Sequence, residues 1–436
     1  MLKILKYLVL MAAALCLLTV VINTSPFDQS LRPEVQAIKD LKAQPYSALN
    51  AYPALLAINS TRADFVEYTE SIRTFLNQKI KQSGDDYLNG DEFDQFVNIE
   101  ADQAWQSEYP RCNSRRERGC MAHLFDAVVA QPINQARLLS QLEKYAALIQ
   151  LTEYSDPTQM DLAAPFVPFG PVLALKRLYL ANSHATQGAD GFMAAFKQDM
   201  TFWRMLLQEG HHMITKMVAV ASINNGIGAL SKALDEDRFD SSQLRQLLAM
   251  VPRLTQAETN MRTVFQHEFK HGIDLFDQAE QTGELQYLGW FDLFQPNATH
   301  NLAYELSTRP LLAMSALSAQ EFHQQHSRGA WDLTTDDAFS WSPTTLYNPT
   351  GKMLLSIATP AYADYVARVH DLDGMLALLR LKIEIKLNPE TDVAAVIASS
   401  QERNPYTQQP MGHDAAGKRI HFACADGTSD VCELSL

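Results

Sequence analysis

The sequence has no G-x-x-x-x-G-K-[ST] phosphate loop, no G-x-G-x-x-G turn and no G-x-S-x-G elbow. P-loop phosphoryl transfer, Rossmann-type dinucleotide binding and α/β-hydrolase chemistry therefore have no motif to rest on. It also lacks a long basic run. The Arg-rich patch Arg111 to Arg118 is short and lies around and between two cysteines, and the net charge is −14. That balance excludes nucleic acid and an anionic membrane surface as partners. β-branched alternation is nearly absent from the middle of the chain, which excludes a sheet there, and no internal repeat marks a solenoid.

Cysteine is scarce, and its placement is informative. Apart from Cys16 there are four, Cys112/Cys120 and Cys424/Cys432, each pair in C-x7-C spacing. Zinc sites favour C-x2-C or C-x4-C, so the pairs read as two small-loop disulfides that staple irregular segments in an oxidising compartment. Crosswise pairing between the first pair and the second stays open on sequence alone.

The compartment follows from the N-terminus. Tyr7 to Ile22 is an uncharged, almost wholly apolar run. Counted from Ile4, with Lys6 snorkelling, it approaches the roughly 20 residues that span a bilayer core. Lys3 and Lys6 precede it and the next basic residue is Arg32, which predicts a cytoplasmic N-terminus and an exported body. The alternative is a cleaved signal peptide, but the small cluster Ala12-Ala13-Ala14 lies in mid-run rather than after it. A lipid-modified Cys16 would want a small residue where Leu15 stands. The expected partner is thus the lipid bilayer, through residues 4–22, in a bacterial inner membrane crossed once.

Behind the anchor (1–24) lie about 410 residues, enough for one large or two ordinary domains. With 47% hydrophobic and 20% charged residues this is globular composition. Residues 25–388 read as a helical extracytoplasmic body. Its expected helices are Leu31 to Gln44, Tyr46 to Asn59, Arg62 to Ile80, Met121 to Leu151 broken at Pro132, Val172 to Ser183 and Phe192 to Glu209. They continue as His212 to Leu234, Ser241 to Met250, Gln256 to Ala279, Thr299 to Leu317 kinked at Pro310, one from Ala319, and Lys352 to Leu387 broken near Pro360. Asn224-Asn225-Gly226 reads as a helix break. Trp203, Met205, Met213 and Met217 have core spacing, and His211-His212 reads as a helix start with one inward imidazole. The fold class is all-α.

Residues 389–436 change character: turn residues surround a β-prone run, Arg419 to Ala423, beside the second cysteine pair, which predicts a hairpin-like element. The segment Asn404-Pro405-Tyr406-Thr407-Gln408-Gln409-Pro410-Met411 resembles the [DN]-P-[YF]-[TS]-x-x-P-[LM] ending of a group of bacterial membrane-anchored helical proteins, with Gln408 at the glycine position. The resemblance implies architecture and no chemistry.

One stretch carries chemistry. His267-Glu268-Phe269-Lys270-His271 resembles the H-E-x-x-H motif of zincin metallopeptidases. Imidazoles at i and i+4 stack on one helix face and can share a Zn²⁺ while the glutamate polarises water. Lys270 departs from the motif, which keeps that slot uncharged. At 100° per residue Glu268 falls inside the apolar stripe Met261, Val264, Phe265, Phe269, Gly272, Leu275 and Phe276. Lys270, Arg262, Gln266, Asp274 and Asp277 lie opposite, as on a surface helix. A carboxylate on an apolar face must be paired, protonated or functional. The third zinc ligand would be Glu305, with Glu280, Glu284, His300 or His211-His212 as substitutes. Two functions follow: a non-enzymatic binding or envelope-assembly protein without a cofactor and with a protein or peptide partner, or a tethered zinc metallopeptidase using His267, Glu268, His271 and Glu305.

Overall fold

The computed structural model describes residues 2–60, 62, 64–83, 109–110, 112, 119–158, 167–282, 293–328, 346–357, 362–425 and 432–436. Of the described residues 68% are helix and 4% strand, so the all-α expectation holds with a small sheet at the C-terminus. The Arg-rich patch, Glu284 and the break near Pro360 lie outside the described residues. The chain divides into two compact units built from separated stretches. Met1–Lys42, Phe265–Ala316 and Gln325–Ala363 form the first; Ala43–Val264, Leu317–Gln324 and Asp364–Leu436 form the second.

The first unit begins with the apolar helix Leu2–Ile22. No part of its apolar window is buried, and Ile4, Tyr7, Met11 and Leu17 are largely exposed. Its end, in contrast, is fastened. Buried Asn23 donates from Nδ2 to the carbonyls of Thr19 and Leu346, each at 2.7 Å, and accepts the Asn348 N–H at 2.7 Å. Asp28 then accepts the N–H groups of Asn297 and Ala298, both at 3.0 Å, which caps the helix Pro296–Ala303 from a remote segment. Asn301 accepts the Arg32 N–H at 2.9 Å and donates to the Ser30 carbonyl at 2.9 Å. Residues 23–32 thus lie along this helix.

The expected kink at Pro310 takes a definite form. The helix widens into a π turn over Tyr304–Thr308 and resumes as Arg309–Met314. Proline has no N–H and its ring crowds the carbonyl four residues back, and a wide turn just before it relieves both.

In the second unit the helices Cys120–Ala130, Ala136–Leu148, Phe169–Thr186, Gly188–Glu209 and Met213–Leu234 pack on one another. The break at Pro132 is present. Asn224-Asn225-Gly226 does not break its helix, contrary to expectation. A Cβ on Gly226 would stand 2.9 Å from Met200 Sδ, so this glycine admits a neighbouring helix rather than a turn. The expected helix Gln256 to Ala279 is split into Gln256–Thr259 and Arg262–Gln281. Asn260 takes an extended backbone, and its side chain accepts the Arg262 N–H at 2.8 Å. Leu31 to Gln44 and Tyr46 to Asn59 are helical only over Pro33–Lys39 and Tyr52–Ala57.

Charge is buried in this core. Lys176 and Asp199 are wholly buried and ion-paired; Asp199 also accepts the Tyr145 hydroxyl at 2.6 Å, and Tyr145 accepts the Trp203 indole N–H at 2.9 Å. Burial pushes the Lys176 ammonium below its ordinary pKa and Asp199 only partly restores it.

The C-terminal sheet is antiparallel in the order β1 (Gly412–Asp414), β2 (Arg419–Phe422), β3 (Cys432–Ser435), with Ile420 opposite Leu434. Ahead of it, the Asn404 side chain accepts the N–H groups of Tyr406 and Thr407, and Gln408 sits at φ 59°, the left-handed region that favours glycine. Tyr406 is buried and donates to Asp371 at 2.5 Å, on the helix Ala363–Leu387. Gly374 of that helix leaves room for the Phe422 ring, which a Cβ would approach to 2.3 Å. The cysteines pair locally, Cys112 with Cys120 and Cys424 with Cys432, which closes the crosswise alternative.

Asp199→Ala leaves the Lys176 ammonium buried without its counterion and should cost roughly 3–5 kcal/mol. The double change Lys176→Met/Asp199→Leu should recover most of that loss in urea unfolding followed by circular dichroism.

Candidate functional site

The helix Arg262–Gln281 carries the HEFKH residues. Of its expected apolar stripe Met261, Val264, Phe265 and Phe269 are buried and Gly272, Leu275 and Phe276 half-buried, while Ile273, outside that stripe, is buried too. Its opposite face is not a solvent face. Lys270 is only 3% exposed, and its ammonium reaches Asp274 at 3.1 Å and the Lys39 carbonyl at 3.4 Å. Asp277 accepts from Lys39 at 2.5 Å and pairs with His300 Nε2 at 2.8 Å. The polar side is therefore covered within the unit, and Lys39 and His300 supply the partners that water would otherwise provide.

These surroundings set the proton affinities. Burial pushes the Asp274 carboxyl up, with Lys270 opposing and Asp277 adding to the rise. Burial would raise Asp277 as well, but the hydrogen bonds from His300 and Lys39 outweigh it and hold the carboxyl below its ordinary value.

The inward stripe borders a cavity of about 130 Å³. One wall is the HEFKH helix, through Phe265, Glu268, Phe269, Gly272, Ile273 and Phe276. The facing wall is the π-turn helix, through His300, Ala303, Ser307, Thr308 and Leu311; Leu355 and Tyr362 complete it. Neighbours Ser307 and Thr308 both reach the lining at the wide turn. Aromatic contacts brace the walls: Phe265 meets Tyr362 edge to face at 5.7 Å, and Phe276 stacks on His300 at 6.4 Å between centroids.

No known protein family, curated protein or solved structure matches the chain. The site is therefore read from its own geometry. Glu268 is half-buried in the cavity lining, whereas His267, 7% exposed, and half-buried His271 are not part of that lining. Glu305 sits in the π turn and is ion-paired with Arg32 and, at 2.9 Å, with Arg309. Among the described residues, the His, Cys, Asp and Glu ligand atoms that gather in a group of three within 4.8 Å belong to Asp371, Cys424 and Cys432, and those two sulfurs are bonded to each other. His300, a substitute ligand by sequence, joins Glu268 on the cavity. His212 turns inward against the Pro157 carbonyl at 2.6 Å, in the other unit.

Sequence reasoning singled out Glu268 as a catalytic glutamate and missed the cavity that it borders. The readable signal was Gly272, a glycine in mid-helix with no cap or turn to make.

Asp277→Asn should destabilise the protein by roughly 1–3 kcal/mol at pH 7, because half-buried Lys39 and buried His300 lose their carboxylate partner. The depressed pKa gives the sign. The stabilisation is complete above the unfolded carboxyl's 3.8 and is lost as pH falls through the lower folded value. Unfolding free energies of parent and variant, measured by urea titration from pH 7 down to 3, should therefore converge at the acid end.

Proposed function

We propose that this is a bacterial inner-membrane protein, held by the single helix Leu2–Ile22 with its N-terminus cytoplasmic, whose periplasmic body acts by binding within an envelope assembly rather than by zinc hydrolysis. The observation that carries the second half is the divergence of the HEFKH side chains. A zincin needs both imidazoles, a third ligand and the glutamate around one water-accessible position. Here the glutamate lines a cavity that the histidines do not, and the third-ligand candidate is held by two guanidinium groups. Lys270, buried one residue before His271 and ion-paired with Asp274, departs from the uncharged slot of the zincin motif.

The membrane half draws support from the apolar helix, exposed along most of its length, whose surface is costly in water and suited to lipid. Asn23 favours retention over cleavage, because its side chain closes hydrogen bonds on both sides of the junction. The two local disulfides fit an oxidising periplasm.

Elemental mass spectrometry on the purified full-length protein, incubated with zinc and then desalted, tests the binding reading. No stoichiometric zinc is expected in the parent or in His267→Ala/His271→Ala. One zinc per chain that disappears in the variant would overturn the proposal and restore the peptidase.

A further inference from the structure

The cavity beneath the HEFKH helix is bounded by Gly272 in mid-helix. Glycine lowers helix stability relative to alanine through its greater backbone freedom, so an interior glycine needs a reason. Elsewhere in the protein that reason is a neighbour: Met200 crowds Gly226 and Phe422 crowds Gly374. Among the described residues, a Cβ on Gly272 would meet nothing within 4 Å. Among them its absence makes room for no neighbouring side chain; it enlarges the cavity. One turn earlier on the same wall stands Glu268, a carboxylate amid Phe265, Phe269, Phe276 and Ile273.

We propose that this cavity binds an organic ammonium, a positively charged nitrogen on a small apolar body, with Glu268 as counterion and the rings of Phe265, Phe269 and Tyr362 against its carbon groups. Aromatic faces attract cations through their quadrupoles, and cages of such rings recognise alkylated ammonium groups. The carboxylate adds the complementary charge and selects against uncharged molecules of the same shape. Size agrees: the space is about 130 Å³, and an engineered apolar cavity of about 150 Å³ admits benzene. The π turn on the facing wall brings Ser307 and Thr308 to the same space, and such turns recur at ligand sites.

The inference rests on the binding reading and deepens it. The two fail separately: zinc held by His267 and His271 would overturn that reading, whereas a cavity indifferent to ammonium overturns this one alone.

The test is isothermal titration calorimetry on the full-length protein in dodecyl maltoside micelles, whose uncharged headgroup carries no ammonium. The probes are choline against its uncharged isostere 3,3-dimethylbutan-1-ol, and n-butylammonium against butan-1-ol. At least one ammonium should bind tenfold or more tightly than its alcohol. Glu268→Gln should remove that preference and Gly272→Leu should abolish binding, with circular dichroism confirming the fold. Gly272→Ala, which gains helix stability and adds a single methyl to the cavity, should weaken binding if the leucine variant does not fold. Repeating choline titrations in phosphatidylcholine nanodiscs separates sources: undiminished binding assigns a free small ammonium, and competition assigns a lipid headgroup. Equal affinity for ammonium and alcohol, no binding of either ammonium, or binding unchanged in the folded Gly272 variants overturns the proposal.

Discussion

Around Lys270, Asp274 and Asp277 the helix Arg262–Gln281 is covered on its polar face as well as its apolar one, and the first unit is arranged around what that covering demands. A charge taken from water must be given partners. Lys270 is buried and takes Asp274 and a backbone carbonyl; Asp277 takes Lys39 from one neighbouring segment and His300 from another. These pairs dock the helix Pro33–Lys39 and the helix Pro296–Ala303 against the same element. Asp28 and Asn301 then fasten the segment that leaves the apolar helix. The cavity on the inner face is what remains between walls whose spacing is set by contacts on the outer one.

The second unit meets the same constraint in its own interior. Lys176 and Asp199 are wholly buried, and Tyr145 and Trp203 extend their network. Lys382 reaches Asp235 at 2.6 Å and the Ser231 hydroxyl at 2.9 Å, again from full burial. Pairs of this kind add little net stability over apolar packing, yet removing one member is costly. They fix which helix lies beside which. The tail obeys a related logic: Tyr406 and the Ala425 N–H, at 3.0 Å, both meet Asp371, so one carboxylate holds the turn and the strand that follows.

Most helices were legible because apolar residues recur at threes and fours, and the break at Pro132 because proline removes a donor. Local cysteine pairing was legible from short spacing, and the C-terminal strand from a β-prone run between turn residues. What stayed hidden was burial of polar faces. Periodicity tells which side of a helix is polar, not whether a polar neighbour lies against it, so Lys270 and Asp277 read as solvent residues. Lys176 was silent for the same reason. Gly226 read as a break because sequence cannot distinguish a glycine that admits a neighbouring helix from one that turns the chain. Glu268 stood out in the sequence as a carboxylate on an apolar stripe, but the cavity it borders depends on Leu355 and Tyr362, far away in the chain.

The central proposal is that HEFKH, through Glu268 and Phe269, contributes to the wall of a binding cavity and does not form a metal centre. Anomalous diffraction at the zinc edge, from crystals of the protein soaked in zinc, addresses it most directly. The account predicts no anomalous peak between His267 and His271, with Glu305 still held by Arg32 and Arg309 and the space beside Gly272 open. A peak bonded at about 2 Å to both imidazoles and to a carboxylate would contradict it.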